Sequence, residues 1–397
     1  MNDTISFSNK TCIEGEPIII YGASVYGELA YVALKQMGRI PDFYCDKSRE
    51  RKEYFGIKVI CPEELEGFKK ANIIIASADF FYEIKKELEE RGCNNLFDML
   101  EMLSVEFPKE QLTNRAREIY DNKQNYINIV KNQSEEKLVF NRIQYVVTER
   151  CSLKCKDCSH LMPYYQKPKD IDLNKYKSAF ELLLANVDYI AELRILGGEP
   201  FMNSDMGQVI HWYHDSNKIQ SISVYTNGTI IPNEAILKAL QQDKVKVHIS
   251  NYKINEDKIG KLIKVFDEYG IRYFLRDYDA WQDAGGIEFR DYSLEQKKAI
   301  FSVCFERNGY TFLKGLLHRC PRVAHAMNLC AIPDIKEDYV DLLHWSGSKV
   351  ELKQQLKKLQ DHSWLEGCNY CGGPDNHTQS IPAARQISTP IAYKMMY

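Results

Sequence analysis

The chain has 397 residues, enough for two or three domains that each bury a core without help from disulfides. Its 52 Lys and Arg against 55 Asp and Glu leave a formal charge of -3 with the basic residues dispersed, which argues against a general nucleic-acid binder. The N-terminus shows no basic stretch followed by an apolar one, and no apolar run reaches the roughly 18 residues that span a bilayer, so no transmembrane segment and a cytoplasmic location are expected.

In chain order, "EPIIIYGASVYGELAYVALKQMG" predicts a strand, a glycine-bearing turn and a helix, and "PDFYCDKS" a second strand closed by Asp46. The strand "GIKVI", a helix opening at "CPEEL", the strand "ANIIIAS" and the amphipathic helix "FFYEIKKELEERG" follow. This alternation predicts an α/β domain over residues 15–104, a Rossmann-like doubly wound parallel sheet. Its turn "GASVYGE" is a partial dinucleotide fingerprint, because Ser24 stands where a second glycine would let the backbone approach a pyrophosphate. The segment resembles Rossmann-like modules attached to sugar-modifying enzymes of bacterial polysaccharide loci, and a docking platform that binds no nucleotide fits it equally well.

Residues 105–137 predict a helical connector. Beyond it, "NRIQYVV", "ELRILGG", "SISVYTNG", "VKVHISNY" and "IRYFLRD" predict strands with helices between them, a partial parallel (β/α) barrel over 138–299 with its reactive groups at the C-terminal strand ends. The rhythm breaks at about residue 300, where a small cysteine-bearing domain is expected over 300–376, followed by a tail, 377–397.

Of twelve cysteines, Cys12, Cys45, Cys61 and Cys93 are scattered and read as buried or incidental thiols. Cys151, Cys155 and Cys158 instead crowd the loop after the first barrel strand. Two chemistries suit them: a zinc site closed by His160, or three thiolates holding three irons of a [4Fe-4S] cluster with the fourth iron open.

The spacing of these cysteines, followed by "GGEP" at the end of the next strand, resembles the radical S-adenosylmethionine superfamily over residues 138–376. The resemblance implies that the open iron is chelated by S-adenosylmethionine. It also implies that Gly197, Gly198, Glu199 and Pro200 meet the methionine ammonium, and that Asn227 of "YTNG" and Ser250 and Asn251 of "ISNY" face the ribose and carboxylate. Asp157 departs from the pattern, since an aromatic residue usually precedes the last cysteine and packs near adenine.

Cys304, Gly315 and Cys320, with the later pair Cys368 and Cys371, resemble the auxiliary-cluster domains of the SPASM and Twitch families, the shorter Twitch form fitting better. That resemblance implies a second, fully ligated [4Fe-4S] cluster; a structural zinc ribbon is the competing chemistry. A saturated cluster near a radical site favours oxidation, as in Twitch-bearing cyclitol dehydrogenases. The expected activity is dehydrogenation of an alcohol on a sugar, cyclitol or glycan-like substrate, with reducing electrons from a flavodoxin- or ferredoxin-type donor. His318 and Arg319 are the first candidates for substrate groups, with Arg322, His325 and the run Arg276 to Trp281 as further ones. Rival functions are peptide maturation, epimerisation with Cys330 as hydrogen donor, and a zinc-bearing binding protein.

Overall fold

A computed structural model describes residues 6–7, 10–47, 51–78, 80–104, 106, 108–132, 137–375 and 378–395. The chain divides into two compact units, Met1–Lys137 and Leu138–Tyr397.

In the first unit a short antiparallel pair, β1 (Ser6–Phe7) and β2 (Lys10–Thr11), precedes a six-stranded sheet. Its strands are β3 (Ile18–Tyr21), β4 (Phe43–Cys45), β5 (Glu53–Tyr54), β6 (Ile57–Ile60), β7 (Asn72–Ile75) and β8 (Leu96–Phe97). They lie in the order β5-β6-β4-β3-β7-β8. All neighbours are parallel except β5 and β6. These two form a hairpin through Phe55 and Gly56, both at positive φ (51° and 74°), the backbone a two-residue turn requires. The sheet reverses direction of winding between β3 and β7, the crevice position of a doubly wound fold. Every position of β3 and β7 is buried, as a parallel sheet covered on both faces demands. The segment Pro62–Phe68, expected as an ordinary helix, winds as a 3₁₀ helix.

The connector is part of this unit. Its helices Asn114–Asp121 and Lys123–Asn132 pack down through Thr113, whose N–H and hydroxyl donate to the buried Glu28 at 2.6 and 2.8 Å, and through Tyr126, fully buried against Tyr26. Residues 105, 107 and 133–136 of the expected connector lie outside the described residues.

The second unit is built on an eight-stranded sheet. Five strands in chain order, β9 (Val139–Val146), β10 (Tyr189–Leu196), β11 (Ile219–Thr226), β12 (Val245–Asn251) and β13 (Tyr273–Asp277), are parallel neighbours. β14 (Ala280–Gln282) leaves the sheet. β15 (Tyr310–Leu313) then returns to pair parallel with the free edge of β9, and β16 (Leu316–His318) and β17 (Tyr339–Asp341) extend that edge antiparallel. The sheet is open, with β13 and β17 at its two edges.

The chain after residue 300 therefore continues the sheet where a separate small domain was expected. The physical reason is the apolar "YTFL", buried at all four positions, which needs a strand partner and finds it at β9. Gly315 serves the β15–β16 turn, with φ at 85° after Lys314 at 50°. β18 (Ser380–Pro382), within the expected tail, pairs with β14.

Along β9 to β12 the side chains alternate. Ile143, Tyr145, Leu193, Ile195, Ile222, Val224, Val247 and Ile249 enter the apolar core. Arg142, Gln144, Glu192, Arg194, Ser223, Tyr225 and His248 occupy the intervening positions and so line the opposite face.

Candidate active site

The loop after β9 and the loop after β10 are zipped together at their strand ends. Gly198 N–H donates to the Thr148 carbonyl at 3.1 Å and Glu199 N–H to the Arg150 carbonyl at 2.8 Å. This approach is so close that a Cβ on Gly197 would sit 2.3 Å from the Thr148 carbonyl oxygen. One on Gly198 would sit 2.2 Å from that of Arg150 and 2.8 Å from Cys151 Cβ. "GG" is thus dictated by the backbone of the cysteine loop passing over it.

Glu199 is fully buried, and its carboxylate ties in the third strand end. Thr226 Oγ1 and the N–H groups of Asn227 and Phe201 donate to it at 2.8, 2.8 and 3.3 Å. Burial outweighs these donors and raises its pKa to about 7. Pro200 begins the 3₁₀ turn that follows. Asn227 Nδ2 in turn reaches Ser152 Oγ at 3.1 Å and Cys151 Sγ at 3.6 Å. Ser250 bonds Tyr252, whose ring faces Trp281, while Asn251 is committed to Asp277 at 2.9 Å.

Cys155 and Cys158 lie close enough to Cys151 for their charges to act on it, and burial is the first cause raising all three thiols. A four-iron cluster places its thiolates on separate irons, farther apart than the ligands of one ion. Among the described residues, no three His, Cys, Asp or Glu side chains gather as ligands for a single metal ion. His160, the fourth ligand of the zinc alternative, has Nε2 on Gln144 Oε1 at 3.1 Å and its ring edge-on to His325.

No family model matches the chain. The GTP 3',8-cyclase of Sulfurovum sp. (strain NBC37-1) is 24% identical over 186 residues, 43% of this chain and 57% of the relative. That of Clostridium acetobutylicum is 33% identical over 119 residues, 29% of this chain and 36% of the relative. The chain thus spans about half or less of the length of these curated relatives. Among solved structures, BtrN in complex with AdoMet and 2-DOIA aligns with 59% of this chain and 93% of its own, at 14% identity and a TM-score of 0.33. In these matches, and in its three-cysteine loop followed by "GGEP", the chain resembles the radical S-adenosylmethionine superfamily. The donor set fits the S-adenosylmethionine and [4Fe-4S] cluster that this resemblance implies: the chain supplies soft thiols on a loop at the C-terminal ends of the strands, with amide N–H groups aimed at two of the sulfurs.

The second cysteine set is also brought together. Cys304, Cys368 and Cys371 all lie near enough to bear electrostatically on the half-buried Cys320. Burial raises Cys304 to about 11 and Cys368 to about 12. Glu306 N–H points to Cys304 Sγ and Gly373 N–H to Cys371 Sγ, each at 3.4 Å. Gly373 leaves no room for a Cβ, which would meet Ile300 Cγ2 at 2.1 Å.

The substrate groups expected near Cys320 have a packing role instead. Arg319 is 3% exposed, with its guanidinium over the rings of Tyr310 (4.5 Å) and Phe301 (5.2 Å). His318 is 2% exposed against Tyr339, and burial lowers its pKa to about 3. Aromatic packing claims both side chains because β16, which ends at His318 just before Arg319, lies inside the extended sheet. Cys330 lies just past the helix Pro321–Asn328 at φ 53°. That helix is locked to the cysteine loop by a partly buried chain of contacts: Lys314 to Glu149 (2.6 Å) and Asn328 (2.8 Å), Asn328 to Tyr165 (2.8 Å), and Tyr165 to His325 Nδ1 (2.8 Å).

The polar face of the sheet was not recognised in the sequence. Glu192 and Arg194 pair at 2.6 Å; Arg194 lies over Tyr225 (4.7 Å), Tyr225 stacks on His248 (4.7 Å), and His248 stacks on Phe274 (5.3 Å). Burial opposes ionisation of Glu192, yet the Arg194 guanidinium and a Ser223 hydrogen bond hold its pKa at about 2. Burial lowers His248 to about 4, so its ring is neutral. The signal was legible as a period-two row of polar residues in strands whose other positions are Ile, Leu and Val.

Proposed function

We propose that Cys151, Cys155 and Cys158 hold a [4Fe-4S] cluster that binds S-adenosylmethionine, and that Cys304, Cys320, Cys368 and Cys371 ligate a second, saturated one. The reaction of this reading is oxidation of an alcohol on a sugar, cyclitol or glycan-like substrate lying against the polar face. Gly197, Gly198, Asn227, Ser250 and Asn251 would shape the S-adenosylmethionine site, with Glu199 and Pro200 holding its loops in place.

When bound, the S-adenosylmethionine cluster supplies a 5′-deoxyadenosyl radical able to take hydrogen from an unactivated carbon, and the saturated cluster an acceptor for one electron. A flavodoxin- or ferredoxin-type protein is the external donor. The chain's own residues bind and orient. The Glu192–Arg194 pair offers acceptor and donor groups to neighbouring hydroxyls, and the candidate base is His248, whose buried Nδ1 has no hydrogen-bond partner among the described residues and would have to be reached by the substrate.

The observation that carries this reading is the polar face itself, joined to the cysteine loop by the Gln144–His160 bond. A nucleotide substrate is the second reading, favoured by the GTP cyclase relatives and by Arg142 and Arg194 on that face. Both arginines are already paired, with Glu306 at 3.2 Å and Glu192 at 2.6 Å, which suits a neutral polyol better than a triphosphate.

Deuterium at the carbinol carbon tests the reaction. It is expected in 5′-deoxyadenosine together with a carbonyl product, and Cys330→Ala is expected to stay active. An isomer labelled from solvent, lost in Cys330→Ala, would sink dehydrogenation in favour of epimerisation.

A further inference from the structure

The segment expected as a tail runs back over the three-cysteine loop. From β18, held by β14, it continues with Lys156 N–H donating to the Arg385 carbonyl (2.8 Å), Ile387 N–H to the Lys154 carbonyl (2.9 Å) and Ile391 N–H to the Pro163 carbonyl (2.8 Å). Arg385 pairs with Asp157 at 3.2 Å, and Tyr393 OH reaches the Leu329 carbonyl at 2.9 Å. At its centre Gln386 forms a bridge with Cys155 and donates from Nε2 to Cys155 Sγ at 3.2 Å.

The orientation of that amide is fixed by its neighbours. Nε2 also donates to the Ala384 carbonyl at 2.6 Å, and Oε1 accepts from Lys154 N–H at 2.7 Å. Turning the amide over would set oxygen against a carbonyl and NH₂ against an N–H, losing both bonds. The N–H must therefore face the sulfur, an arrangement suited to a thiolate acceptor.

We propose that this strap is a working part of the cluster site. Gln386 is a positioning residue whose N–H···S bond raises the reduction potential of the cluster held by Cys155, and the surrounding strap keeps water and oxygen from it. The proposal rests on the assignment of Cys151, Cys155 and Cys158 to that cluster. A donor to a ligand sulfur draws electron density from it and stabilises the form carrying one more electron, while covering the loop removes solvent from the same atoms.

The test is a dithionite titration of the reconstituted full chain followed by electron paramagnetic resonance, the cluster being identified by the change in its signal on adding S-adenosylmethionine. Gln386→Ala is expected to move the midpoint to more negative potential. Gln386→Glu should move it further, because a carboxylate oxygen then faces both the sulfur and the Ala384 carbonyl. Arg385→Gln weakens the Asp157 pair without touching the donor and without adding a negative charge, so it should move the midpoint less than Gln386→Ala does and bleach faster in air. A Gln386→Ala midpoint equal to the parent's, even in a chain that loads less iron, overturns the proposal, as does an equal shift in Arg385→Gln. A parent with no S-adenosylmethionine-responsive signal would overturn the cluster assignment instead.

Discussion

Both units carry a parallel sheet made from the same strand–helix alternation, yet only the second sheet has a polar face. In the first unit β3 and β7 are buried at every position, and the turn after β3 is filled by the unit's own groups. Ala23 N–H donates to Asp46 at 2.8 Å, Arg51 bonds the Ala23 carbonyl, and Tyr54 OH donates to the Ser24 carbonyl at 3.2 Å. The acid that would hold a ribose is spent on the turn itself. In the second unit alternate positions of β9 to β12 are charged or polar, and the strand-end loops carry thiols. Chemistry is thus marked less by the fold than by which face of a sheet remains polar.

The comparison breaks first at the thiols. Replacing Cys151, Cys155 and Cys158 together by Ala should abolish S-adenosylmethionine cleavage and remove about half of roughly eight irons per chain, read by iron analysis after anaerobic reconstitution. Zinc in place of iron would sink the whole reading. Next comes the polar face: Glu192→Leu leaves Arg194 without its partner and should cost about 3 kcal/mol in urea unfolding. Substrate turnover should fall further than S-adenosylmethionine cleavage, and equal loss of both would argue against a substrate role.

A third effect sharpens the contrast through pH, because all nine histidines lie after residue 137. Burial holds the His318 pKa at about 3 and lowers His325 likewise, so the folded chain leaves these rings neutral where the unfolded chain takes up protons. Stability should fall as pH drops from about 6.5 toward 3. Urea midpoints across that range should decline less in His318→Leu, and a curve identical to the parent's would rule the residue out. The smallest effect is expected in the first unit. Asp46→Ala removes the bond to Ala23 and should cost about 1 kcal/mol, with S-adenosylmethionine cleavage unchanged.

Local pattern was enough for the five strands β9 to β13, for β3, β4, β6 and β7 of the first unit and for the cysteine spacings, because strand periodicity and ligand chemistry are written in consecutive residues. It was also enough to mark Ser24 as a departure from a dinucleotide turn. Contacts between distant residues decided the rest. Only the folded chain shows that β15 takes the edge of β9, that His318 and Arg319 are enclosed by Tyr339, Tyr310 and Phe301, and that Glu199 spends its carboxylate on Thr226 and Asn227. The clearest case is Gln386, 231 residues from the sulfur it meets. Nothing near "AARQIS" identifies its partner, because a hydrogen bond between segments so far apart depends on how the sheet brings them together, not on the sequence around either one.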